Sequence, residues 1–211
     1  MTTNREAKRA QLRQRLIEAA EIELREKGLK GLKARDVTAR AGCALGALYN
    51  VVDDLDMLIL EVNLRTLIQM GEALNAAVSP KGSRPSSGQD ASPDAVMQAL
   101  AATYTDFAIE NHNKWLALFE HRLPKGHEVP DSYKQAHSAL IEVIVPPLAR
   151  LRPDLSTDEL MLRARTTFAA VHGVVHLSLQ AQFVGVPIAN LKAEVKALVE
   201  AMTRGAALAT P

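Results

Sequence analysis

Apolar residues in this chain recur at intervals of three and four almost from end to end, and no stretch alternates with the period of two that a half-buried strand requires. The pattern confines the chain to an all-α fold of about nine helices. Leu12, Leu16, Ala20 and Leu24 stand four apart with charges between them, and Gly28 follows as a stop, which predicts a first helix over about Arg9 to Lys27. Two short helices come next, Ala34 to Ala41 ended by Gly42, and Leu45 to Val51. Asp53 is placed to cap a longer helix reaching about Val78, with Asp54 and Asp56 in its first turn, where the helix dipole favours carboxylates. Its apolar residues Leu55, Leu58, Ile59, Val62, Leu64, Leu67 and Ile68 form more than one stripe, so two neighbours are expected.

Ten of the fifteen residues from Ser79 to Pro93 are Ser, Pro or Gly, a composition expected to form a mobile loop. Ser92-Pro93-Asp94 then supplies a cap, a first-turn proline and a first-turn acid, and Val96, Leu100, Thr103 and Phe107 are expected to be the buried face of that helix. A short helix over about Lys114 to Arg122 ends before Pro124-Lys125-Gly126. Asp131 to Arg150 reads as one helix bent at Pro146-Pro147. Ser156-Thr157-Asp158-Glu159 has capping-box spacing and opens a long helix to about Phe183. That helix is apolar on two sides, Leu160, Ala164, Phe168, Val171, Val175 and Leu179 on one and Leu162, Ala169, Gly173, Val174 and Leu177 on the other. The last helix, Asn190 to Ala209, carries Leu191, Val195, Leu198, Val199 and Met202 on one face. So much spare apolar surface predicts a homodimer through these last two helices.

With 47% hydrophobic residues among 211, the chain can bury a substantial core, and no apolar run approaches the roughly 18 residues of a membrane span. Asn4 to Arg15 is charged, unlike a secretory leader, and the single cysteine, Cys43, excludes an intrachain disulfide; both point to the cytoplasm. The net charge of +1 conceals an asymmetry: residues 1–50 hold eleven Lys and Arg against six acids, whereas the remainder holds fourteen against eighteen. Such a basic N-terminal module either meets phosphate or is a solvated helix face.

The run Lys33-Ala-Arg-Asp-Val-Thr-Ala-Arg-Ala-Gly-Cys-Ala-Leu-Gly-Ala-Leu-Tyr-Asn-Val-Val-Asp-Asp-Leu-Asp-Met-Leu-Ile59 bears on that choice. Val37, Ala41 and Leu48 are spaced to face inward, Gly42 to make the turn, and Gly46 and Ala47 are small enough to let a partner approach closely. This run resembles the helix-turn-helix of the tetracycline-repressor (TetR) family of transcriptional regulators, over roughly Ala10 to Met70. Trp115 and the pair His172-Gly173 resemble one subgroup of that family's C-terminal domains. The resemblance implies a three-helix DNA-binding domain at residues 1–53, a helical ligand-binding and dimerisation domain at 54–211, a double-stranded DNA operator, and a small apolar effector that releases it. DNA-contacting positions would be Lys33, Arg35, Ala44, Leu45, Gly46, Ala47, Tyr49 and Asn50, with the arm Arg5, Lys8 and Arg9. Tyr49 would meet phosphate, and Leu45 and Ala47 thymine methyls. Asn50 would either pair with adenine or serve only as a cap or phosphate contact. Lys33 and Ala44 stand where the family commonly has Ser or Thr caps, Val52 replaces a usual aromatic and Leu55 a usual lysine, departures expected to affect DNA contacts.

Leu67, Tyr104, Phe107, Trp115, Phe119, Tyr133, His137, Phe168 and His172 are the candidate ligand-binding residues, gathering most of the chain's few aromatics with polar groups beside them. His172 and His176 stand four apart, the spacing of a metal pair, but neither a cysteine nor a glutamate accompanies them, so no metal or other cofactor is expected. Cys43 is either a redox-sensitive thiol in the turn or an apolar plug. No nucleophile elbow, phosphate loop, dinucleotide-binding turn or paired carboxylate pattern occurs, so a regulator is favoured over a helical enzyme or metal-binding bundle.

Overall fold

A computed structural model of the protein describes residues 4–78 and 91–208; most of the loop expected at 79–93 therefore lies outside the described residues. Every regular element described is a helix: α1 (Asn4–Gly31), α2 (Ala34–Arg40), α3 (Leu45–Tyr49), α4 (Leu55–Val78), α5 (Pro93–Glu110), α6 (His112–Glu120), α7 (Asp131–Glu142), α8 (Val145–Leu151), α9 (Thr157–Leu179) and α10 (Ile188–Leu208). The count is ten because the expected helix from Asp131 to Arg150 is two. Proline's ring clashes with the carbonyl four residues back, and Glu142, four before Pro146, is where α7 ends; Pro146 and Pro147 then sit in the first turn of α8, where no amide hydrogen is missed. None of these helices is long and apolar enough to cross a membrane.

The chain forms two compact units, Met1–Ile68 with Asn111–Lys134, and Gln69–Glu110 with Gln135–Pro211. Helices α4 and α7 each run from one into the other. In the first unit, Leu16, Ala20 and Leu24 of α1 join Val37, Leu48, Leu58 and Val62 in one core, each fully buried. The expected stop at Gly28 is real: its φ of 68° is left-handed, and the helical run of α1 is broken there. Arg5, Lys8 and Arg9, expected as an arm, are helical, since nothing in Asn4–Ala10 breaks a helix and Glu6 favours its first turn. Asp54, one residue beyond the expected Asp53, caps α4, its carboxylate accepting the Met57 amide at 2.8 Å. Two histidines from the segment after α6 close on that helix start, His127 on Asp54 at 2.6 Å and His121 on Asp56 at 3.0 Å.

In the second unit, α5 buries Met97, Leu100, Ala101, Tyr104, Thr105 and Ala108. The predicted face of Val96, Thr103 and Phe107 is thus turned by about one residue, and those three are only half-buried. The Ser156 to Glu159 capping box forms in full, with Leu160, Ala164, Val171 and Val175 buried behind it. The second stripe stays outside, Leu162 66% exposed and Leu177 39%. α9 stops at Leu179, short of Phe183, and a tight connection follows in which Ala181 adopts a φ of 51° and the Val186 amide donates to Ser178 Oγ at 3.0 Å. A Cβ on Gly185 would meet the Leu177 carbonyl oxygen at 2.6 Å, so only glycine fits that return. Phe183 and Val184 project fully from it.

Candidate DNA-binding surface and ligand cavity

Helices α2 and α3 are short and their starts lack side-chain caps, because Lys33 and Ala44 occupy the cap positions with extended backbone and offer no acceptor. What holds the pair is burial. Val37, Ala41 and Leu48 point into the core, and Gly42, with φ of 67°, makes the left-handed turn between the helices. Val51 and Val52 are buried behind α3, and Leu55 packs against the same core. Val52 and Leu55, the two departures from the family pattern at the end of this run, thus both take part in packing. Cys43 is partly buried against this core as well, the position of an apolar plug.

Burying Leu48 turns the opposite side of α3 outward: Leu45 is 38% and Tyr49 53% exposed, with Ala44, Gly46 and Asn50 also exposed and Ala47 half-buried. Asn50 is the C-cap residue of α3. Lys33 and Arg35 are exposed at the start of α2 and enter no ion pair among the described residues, as is true of Arg5, Lys8 and Arg9. Three other cations of the basic region are committed internally. Arg13 holds Glu61, Lys27 bridges Glu23 and Asp36, and Arg40 bridges Glu23 and Glu26.

Glu23 is the hub of that network, 3% exposed, ion-paired with Lys27 at 2.6 Å and accepting from Arg40 Nε at 2.7 Å. Hydrogen bonding by Lys27 and then Arg40 outweighs its burial and holds its carboxyl below the ordinary value of 4.5. A depressed carboxyl stabilises the fold above its unfolded pKa, and that contribution disappears as pH falls through the folded one. The melting temperature of the first unit is expected to drop on acidification below about pH 4.5, and Glu23→Gln to flatten the drop. An unchanged acid slope in Glu23→Gln, followed by circular dichroism, would show that Glu23 is not the responsible group.

The second unit encloses a cavity of about 40 Å³ walled by apolar side chains, among them Leu74, Met97, Leu100, Ile144 and Val171, with Tyr104, Thr167 and Phe168. Tyr104 and His172 share a 2.7 Å hydrogen bond through the phenol oxygen and Nδ1, and Phe168 stacks on the His172 ring at 5.5 Å. Burial, and secondarily His176 at 5.2 Å between ring centres, pulls His172 down to about 4, so it is neutral at neutral pH. Burial also lowers His137.

Of the nine candidate ligand residues, the fold brings Tyr104, Phe168 and His172 together in the second unit. Phe107 and His137 belong to that unit but do not line the cavity. Leu67, Trp115, Phe119 and Tyr133 lie in the first unit, where Trp115 is wholly buried against the Phe119 ring at 5.2 Å and burial raises the Tyr133 phenol. Sequence reasoning missed the aliphatic wall of the cavity, whose only signal is the helical spacing of each segment. It also missed the His121 and His127 pairs, which join residues 65 and 73 positions apart. No group of three or more His, Cys, Asp or Glu side chains among the described residues is arranged to hold a metal ion.

An all-helical chain with this turn between α2 and α3 belongs to the helix-turn-helix class of DNA-binding regulators. Residues 97–204 match the family model for the tetracyclin repressor-like C-terminal domain, just over half of the chain. The protein is a member of the TetR family of transcriptional regulators. A comparison with curated proteins found no match. Among solved structures, the fold is similar to a protein of unknown function from Rhodococcus sp. RHA1 (TM-score 0.69, 22% identity, 92% of this chain and 94% of that one). It is also similar to a putative TetR-family regulator from Shewanella sp. PV-4 (TM-score 0.61, 16% identity, 92% and 97%). A third is RolR, solved in complex with resorcinol (TM-score 0.62, 20% identity, 97% and 96%).

Proposed function

We propose that this protein is a ligand-released transcriptional repressor of the cytoplasm, neither an enzyme nor a membrane protein and needing no cofactor. As a two-fold dimer it sets one α3 into the major groove at each half-site of an operator. Residues 1–53 are the DNA-binding domain and 54–211 the regulatory and dimerisation domain. The observation that carries the reading is the outward face of α3, where Leu45, Tyr49 and Asn50 stand clear of the core while Leu48 is fully buried. Lys33, Arg35 and the helical extension with Arg5, Lys8 and Arg9 supply phosphate contacts, Gly46 and the uncapped Ala44 permit close approach, and Leu45, Ala47 and Asn50 face the bases. Dimerisation is supported by the bare stripe Leu162 and Leu177 and by Phe183, Val184 and Ile188, apolar side chains too numerous to leave wet.

The effector is assigned to the second unit, where Tyr104 and His172 offer a polar handle beside an apolar cavity, with Phe168 as a stacking surface. Phe107 and His137 of the same unit complete the proposed ligand set, whereas the expected Leu67, Trp115, Phe119 and Tyr133 belong to the first unit and are left out of it. RolR, at 20% identity, binds resorcinol, and a small aromatic alcohol is a reasonable first compound to test here. An effector that prefers the DNA-free state lowers operator affinity by its differential affinity for the two states, typically about 1 to 3 kcal/mol.

Operator selection followed by binding measurements tests the DNA part. Tyr49→Phe is expected to weaken all sequences alike, whereas Asn50→Ala relaxes preference at a single base position by about 1 to 3 kcal/mol. Equal weakening of every operator variant by Asn50→Ala assigns that residue to phosphate or to the cap. A monomer by sedimentation at micromolar concentration would remove the two-half-site arrangement.

A further inference from the structure

Beside the apolar cavity, the second unit has a cleft of about 250 Å³ among α5, α8, α9 and the end of α10. Small-molecule sites usually run from about 300 to 1,000 Å³, so the cleft approaches that range while the apolar cavity of about 40 Å³ falls far below it. Its polar lining is one-signed: Arg152 and Arg163 with the hydroxyls of Thr166, Thr167 and Thr203, and no carboxylate.

Arg163 lies exposed on α9 and enters no ion pair among the described residues. Arg152 is nine-tenths buried and gives Nε and Nη2 to Asp154 at 2.8 and 2.6 Å, which leaves Nη1 uncommitted. Thr166 and Thr203 spend their protons on the carbonyls of Leu162 and Glu200 and keep their lone pairs. Thr167 is only 8% exposed, and its hydroxyl has no hydrogen-bond partner among the described residues. The opposite wall, with Leu148, Leu151 and Met202, is apolar.

Met97 and Thr167 line both openings, so the two share a wall. A methionine with three rotatable bonds is an adaptable partition. On one side of it lies a cationic, hydroxyl-rich mouth and on the other an apolar end bounded by Tyr104 and Phe168. We propose that the cleft binds an amphipathic organic carboxylate, its head held by Arg163 and Arg152 and its tail passing Met97 and Thr167 into the apolar cavity. This rests on the effector reading above and adds a charged head to the ligand. A guanidinium fork matches the two oxygens of a carboxylate, and the paired Asp154 leaves one full cation for a single anionic head.

Calorimetric titration of the full-length protein without DNA decides it, with octanoate, 1-octanol and inorganic phosphate as probes. Octanoate is expected to bind at least about tenfold tighter than either of the others. Arg163→Gln should weaken octanoate by about tenfold and leave octanol unchanged. Arg165→Gln, exposed on the same helix but outside the cleft, should change nothing. Octanol binding as well as octanoate, phosphate binding as well as octanoate, or full octanoate affinity in Arg163→Gln each overturns the site. Adding octanoate to a pre-formed operator complex reads the regulatory role separately: octanoate that binds without releasing DNA leaves the site standing and removes only its part in gating.

Discussion

Between 50 and 200 mM salt, operator affinity is expected to fall by about 10³-fold or more, the loss that accompanies six or more neutralised phosphates. Eleven cations in residues 1–50 would suggest a larger effect, but Arg13, Lys27 and Arg40 are held by internal carboxylates and cannot release counterions from DNA. Of the other eight, Lys33, Arg35, Arg5, Lys8 and Arg9 are the five proposed to meet phosphate, roughly ten cations across a dimer, which meets that requirement. Each residue occurs twice in the dimer, so Lys33→Gln or Arg35→Gln should reduce the slope of log affinity against log salt by about 2, while Arg40→Gln leaves it unchanged. Fluorescence anisotropy over a salt series measures this. A slope shallower than about −3 would mean that phosphate contacts are too few for the proposed docking.

The largest single effect on stability is expected from Trp115→Ala, about 3 to 5 kcal/mol. Trp115 is 0% exposed, its amide is bonded to the Asn111 carbonyl at 2.8 Å and its ring packs against Phe119, so truncation opens a cavity that the surrounding helices cannot close. For a chain of this size the melting temperature should fall by roughly 6 to 20 °C. Thermal unfolding of the variant checks this. A melting temperature within a degree or two of the parent would show that Trp115 does not carry the packing of the first unit.

The local features of the chain were legible because their causes are local. Gly28 and Gly42 adopt the left-handed backbone that their positions suggested, Ser156 and Glu159 form their reciprocal cap, and Ser92 accepts the Ala95 amide at the start of α5. Val37, Ala41 and Leu48 face inward as their spacing requires, and that alone turns Leu45 and Tyr49 outward. The all-helical class and the outward face of α3 were therefore contained in the order of the residues.

Other features depended on neighbours distant in sequence. Asp54 rather than Asp53 caps α4, where His127 reaches back to its carboxylate. The buried face of α5 is Met97, Leu100 and Tyr104, a choice made by the side chains packed against it, since a helix with apolar residues on several sides has no preferred face of its own. Trp115 and Tyr104 read alike as aromatics on neighbouring helices, yet they belong to different compact units. The cleft with Arg152 and Arg163 draws on four helices whose spacing in sequence carries no signature. Periodicity, caps and turns act within a few residues and determine what each segment is. Which charged group finds a partner and which is left free is decided only when the segments pack.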